Sequence, residues 1–159
     1  MFEIGRSIRG RTTANELADT LETMAASSVT PGEVLAWVAA HDAAWRSNDA
    51  EAIGELFSVD GIYHLGPWEG PWRGYAGPIV GRRAIADAWA SAFDSHEGFE
   101  ADADVVAIDG RRGVVQRTIT YAGSGREPPT RYGCLWVVDF DVEGRCREYQ
   151  EWFVEEPRT

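Results

Sequence analysis

Apolar residues recur every three or four positions through the first ninety-odd residues and alternate with polar ones through most of the remainder. The first spacing belongs to helices with one buried face, the second to half-buried strands. Val34, Trp37, Val38 and His41 form one helical stripe. Thr30, with Pro31 next and Glu33 three residues on, is a capping box with proline at the first helical position, which predicts a helix over 31–47. A second box, Thr13 to Glu16, precedes Leu17, Leu21 and Met24 and predicts a short helix there. Asn48 followed by Glu51 predicts a helix over 49–57, and another runs from Arg82 to about Asp94 after Gly81.

Strand signals fill the second half. A short strand is expected at 63–65, and longer ones at 103–108, 113–122, 131–140 and 145–154, all rich in Val, Ile, Thr, Tyr and Trp. Helices followed by a run of strands predict an α+β fold with a mainly antiparallel sheet. The last hairpin can be registered on a turn at Asp141–Gly144, so that Phe140 faces Arg145, Trp136 faces Tyr149 and Cys134 faces Glu151. One face of this hairpin then carries Tyr132, Cys134, Trp136, Val138, Tyr149, Phe153 and a single carboxylate, Glu151. Cys146 falls on the other face.

Composition narrows the chemistry. The chain of 159 residues suits one domain, 31–157, with an N-terminal arm over 1–30. Its formal charge of −11 argues against nucleic acid or an anionic membrane as partner. No apolar run approaches the length of a membrane span, and the N-terminus lacks a signal-peptide core, so a cytoplasmic protein is expected. All 15 basic residues are arginine, which removes Schiff-base chemistry and the P-loop lysine. Three histidines and two cysteines show no metal-ligand spacing, so neither metal nor cofactor is expected.

The segments 45–67, 81–93 and 137–153 resemble the nuclear-transport-factor-2-like superfamily, in particular its SnoaL-like and ketosteroid-isomerase-like domains. The resemblance implies a cone: a curved antiparallel sheet wrapped around N-terminal helices, with a pocket inside. His41 falls where ketosteroid isomerases place an oxyanion-hole tyrosine, and Trp136 where they place a protonated aspartate. Leu65 and Gly66 stand where their base would be, so steroid-type isomerisation is not implied. Against limonene epoxide hydrolases, Arg117 and Glu151 match but Ile119 replaces an aspartate, which leaves epoxide hydrolysis a minor alternative.

The candidate catalytic group is therefore Glu151 as acid or base, with Arg117 as its hydrogen-bonded partner and His41 as a second proton-transfer group. The alternative is a structural ion pair. Tyr63, His64, Ile119, Tyr121, Trp136, Tyr149 and Phe153 are candidate pocket residues, and Trp68, in the doubled Gly-Pro-Trp of 66–72, a candidate lid. The expected function is cofactor-free isomerisation, cyclisation or dehydration of a hydrophobic or polycyclic molecule, the rival being a non-catalytic ligand-binding or assembly domain. A homodimer through the convex sheet face, at Leu135, Val137, Trp152 and Val154, is expected from the apolar character of that face.

Overall fold

The computed structural model describes residues 28–65, 77–92, 98–123 and 129–157. Helix α1 (Pro31–Arg46) starts at Thr30, whose Oγ1 accepts from the Glu33 amide while the Glu33 carboxylate accepts from the Thr30 amide, closing the capping box. Helix α2 (Ala50–Glu55) is capped by Asp49, which accepts from the Ala52 amide. Asn48, the expected cap, instead sits at φ 57°, in the left-handed conformation that asparagine tolerates better than most residues. The chain is already extended at Phe57, so α2 is shorter than expected and strand β1 (Phe57–Leu65) longer. Strand β2 (Ile79–Val80), which no sequence signal announces, precedes helix α3 (Arg82–Ala90). Then come β3 (Glu100–Asp109), β4 (Arg112–Tyr121), β5 (Thr130–Phe140) and β6 (Cys146–Glu155).

The six strands form one sheet in the order β2-β1-β6-β5-β4-β3. The sheet is curved and unclosed and, as expected, mainly antiparallel; it is mixed because β1 runs parallel to β6. The connection from β1 to β6 runs through β2, α3 and strands β3 to β5, long enough for the crossover that a parallel pair needs and a tight turn cannot make. Helix α1 lies along the concave face. Gly113 of β4 lets it approach, for a Cβ there would stand 2.8 Å from Val34 Cγ2. Trp37 anchors the closed end: its indole N–H donates to the Leu56 carbonyl at 3.0 Å, and its ring meets Phe57, Phe140 and Tyr149. Val29, just ahead of α1, is already part of the core, and its amide donates to Gly110.

The register of the last hairpin differs from the expected one. Trp136 faces Glu151, Cys134 faces Phe153 and Val138 faces Tyr149. Two irregularities cause the shift. Gly144 takes φ 80° and the Asp141 amide donates to the Arg145 carbonyl, so the turn takes in Arg145 and Phe140 pairs with Cys146; a further irregularity follows between Asp139 and Phe140. The slip is two residues in all, so the alternation of faces survives from Tyr149 onward. Cys146 is the exception. It lies beside the bulge, pairs with Phe140 and is fully buried in the core rather than on the opposite face.

Candidate functional site

The concave face opens into a cavity of about 600 Å³, lined by aromatic side chains from α1, β1, α3, β4, β5 and β6. Trp45, Tyr63, Trp89, Tyr121, Tyr132 and Phe153 supply most of the wall, and Ile119 and Cys134 complete the sheet side. Glu151 is the only carboxylate among the described lining residues. It is 8% exposed, and two neutral donors hold it: Trp136 Nε1 donates to Oε1 at 2.9 Å and the Tyr63 hydroxyl to Oε2 at 3.2 Å. Burial pushes the Glu151 carboxyl above its ordinary value, against the pull of the Trp136 bond, the nearby His41, the Tyr63 bond and the Arg117 charge.

Arg117 does not bond Glu151, contrary to the expected pair. Its Nη2 donates to both oxygens of Asp42, at 2.8 and 2.6 Å, and its guanidinium lies 3.9 Å from the centre of the Trp136 ring. Both partners are buried. Burial alone would raise the Asp42 carboxyl, but His41 and Arg117 outweigh it and hold the group below its usual range. Asp42 was missed in the sequence, although a signal existed. It stands four residues after Val38 and three before Trp45, on the apolar stripe of α1, where a carboxylate must find a cation.

Tyr63, Ile119, Tyr121 and Phe153 line the cavity; Arg117, His41, Trp136 and Tyr149 do not. Tyr149 is fully buried between Trp37, Phe57, Tyr63 and Trp136, one layer behind the wall. Trp136 lies between the Arg117 guanidinium and the Glu151 carboxyl. His41 packs edge-to-face on Trp89 at 4.7 Å and Trp136 at 5.1 Å, with Nδ1 3.8 Å from Asp42, beyond hydrogen-bond length. His64 is turned away from the pocket. Strand alternation gives the inner position to Tyr63, and His64 pairs with Glu148 at 2.9 Å, both groups about a third exposed. The Cys134 thiol is pushed up to about 12 by burial and the Glu151 charge, so it offers no thiolate. Trp68 and the rest of 66–76 lie outside the described residues, as does the short helix expected after Thr13.

Residues 38–149, most of the chain, match the SnoaL-like domain family. The chain belongs to this family. Solved structures agree on the fold. An LEH-like epoxide hydrolase from M. tuberculosis is 18% identical with a TM-score of 0.58, over 78% of this chain and 84% of that one. A ketosteroid isomerase-like protein from Erwinia carotovora atroseptica is also 18% identical, TM-score 0.58, over 80% and 97%. A protein of ketosteroid isomerase-like fold from Catenulispora acidiphila, in complex with trimethylamine, is 19% identical, TM-score 0.58, over 73% and 83%. No curated protein matches the sequence significantly. A SnoaL-like domain thus holds a cavity of small-molecule size, with one buried carboxyl in its wall.

Proposed function

We propose that this SnoaL-like domain is a cofactor-free enzyme that transfers protons to and from an apolar organic substrate, with Glu151 as the acid/base group. The observation that carries the reading is the position of Glu151: buried, in the cavity wall, and fixed by Trp136 and Tyr63 without a charged partner. A carboxyl raised by burial is protonated over a wider pH range and, once ionised, is a stronger base than a solvated glutamate. Each of its oxygens has a second lone pair beyond the one taken by its donor, so proton exchange with a ligand need not break the anchoring bonds. Tyr63 and Trp136 fix the direction of the carboxyl.

Arg117 and His41 have supporting rather than reacting roles. Arg117 is neutralised by Asp42 and separated from the cavity by the Trp136 layer. Isomerisation, cyclisation and dehydration all fit one acid/base group in an apolar cavity. Epoxide opening, the activity named for the M. tuberculosis neighbour, has less support: among the described residues no second carboxylate lines the cavity, and Asp42 is bound to Arg117.

The test is turnover of apolar alcohols, ketones and epoxides in D2O, read by mass spectrometry for product and deuterium, with wild type beside Glu151→Gln. Loss of at least about 100-fold in rate is expected, in line with the usual worth of one acid/base group, while ligand quenching of tryptophan fluorescence persists. Turnover that survives the substitution overturns the role given to Glu151, and a wild type that turns over none of these compounds is a binding domain.

A further inference from the structure

The cavity has a charge preference that the acid/base reading leaves open. Among the described lining residues there is no arginine or histidine, and the only charged group is a carboxyl. The Arg117 guanidinium lies outside the lining, with Nη2 on Asp42 and with Nε and Nη1 buried without a hydrogen-bond partner. The two donors next to Glu151, the Tyr63 hydroxyl and Trp136 N–H, already serve its carboxyl. An enolate or other anionic intermediate needs convergent donors at the site where its charge develops, and here those donors are engaged. Positive charge meets the opposite conditions. Six aromatic rings line the space, their faces carrying negative quadrupole density, and a carboxylate appears beside the ligand once Glu151 has given up its proton.

The geometry points to an acid-first reaction through a cationic transition state, with an uncharged, lipophilic tertiary or allylic alcohol as the substrate class and dehydration as the outcome. This inference rests on the proposed role of Glu151 and names the substrate of that same site. In the first step Glu151 gives its carboxyl proton to the hydroxyl oxygen. The C–O bond then breaks, both electrons leave with water, and the carbon becomes cationic among the rings. The Glu151 carboxylate next removes a proton from the adjacent carbon, and that C–H pair becomes the double bond. One alcohol gives one alkene and one water, and the acid is regenerated with no other reactant.

Three stable probes on one benzyl scaffold test the charge preference: benzyltrimethylammonium, its uncharged isostere neopentylbenzene, and phenylmethanesulfonate. Binding is read by calorimetry and tryptophan fluorescence on the full chain. The cation is expected to bind at least about tenfold tighter than the isostere, and the anion weakest. Glu151→Gln should remove most of that advantage and leave the isostere unchanged. Trp89→Leu, which keeps an apolar wall but removes a π face, should weaken the cation more than the isostere and supplies a second reading if Glu151→Gln misfolds. An isostere that matches the cation, or an anion that exceeds it, overturns the inference. If that order fails while Glu151→Gln still abolishes turnover, the acid/base reading stands and only its cationic course falls. If the order holds but turnover ignores Glu151, the acid-first step falls with the acid/base reading.

Discussion

Two buried carboxylates lie on either side of the Trp136 layer, and their surroundings push them in opposite directions. Asp42 meets a guanidinium through two short bonds and is held ionised. Glu151 meets only an indole N–H and a phenol, and burial holds it toward the neutral form. Burial penalises charge at both sites; the difference lies in the partner. The Asp42–Arg117 pair is charge-balanced and closed off from the cavity, so it serves to fix α1 on β4. The Glu151 site is incomplete in charge and open to a ligand, which is the arrangement that proton transfer requires.

The comparison breaks most severely at Arg117. Arg117→Met should cost about 3–5 kcal/mol in urea denaturation, because it leaves Asp42 buried without its cation. Adding Asp42→Leu should restore much of the loss, since an apolar pair replaces an ionic one at similar depth. If the single variant is as stable as wild type, the pair does not hold α1.

Glu151→Gln should show the reverse profile, with activity lost and stability kept. The sign follows from the direction of the shift. A carboxyl raised in the folded state stabilises the fold fully below the ordinary glutamate value of 4.5 and loses that contribution as pH rises through its folded value. Wild type should therefore lose stability relative to Glu151→Gln across that interval. Asp42 works oppositely: its contribution is present above the ordinary aspartate value of 3.8 and is lost as pH falls through its lower folded value. Denaturation curves of wild type, of Glu151→Gln and of the double variant Arg117→Met with Asp42→Leu, from pH 3 to 8, should separate the two trends; equal pH dependence of the two differences from wild type would make the carboxylates equivalent.

Smaller effects sharpen the contrast. Tyr63→Phe removes one donor from Glu151 and should cost about 1 kcal/mol. It should also move the carboxyl further upward, because that bond favours the ionised form. Carbon-13 NMR of labelled glutamate reads this directly, with the charged and titratable neighbours Asp42, His41, Arg117, Cys134 and Tyr149 left in place. The same substitution should leave Asp42 unmoved. The smallest change in stability is expected on the convex face, far from both carboxylates. Leu135 is 40% and Val154 70% exposed there. Leu135→Glu should cost under about 0.5 kcal/mol in the isolated subunit and convert the expected homodimer to a monomer by light scattering. An unchanged mass would return that face to solvent.

The face of most residues in β4 and the last hairpin was legible in the sequence, with Cys146 the exception. Alternation puts Arg117 and Ile119 on one side of β4, which the family resemblance makes the pocket side, and it puts Trp136 and Glu151 on one face of the last hairpin; a slip of two residues leaves that assignment intact. The capping box at Thr30 fixed the start of α1, and helical spacing fixed which side of it is buried. These are local properties, set by backbone geometry within a few residues. What tertiary structure alone decided was the pairing of charges. Arg117 had two carboxylates within the same concave space, and sequence patterns cannot tell a distance of 2.6 Å from a separation by an indole ring. The choice of Asp42 depends on how closely α1 approaches the sheet, which rests on Gly113 beneath Val34, and on the bulges that set Trp136 opposite Glu151. Electrostatic partnership depends on ångström-scale distances between segments remote in the chain, and so Glu151 was left without a cation by packing that no single stretch of residues encodes.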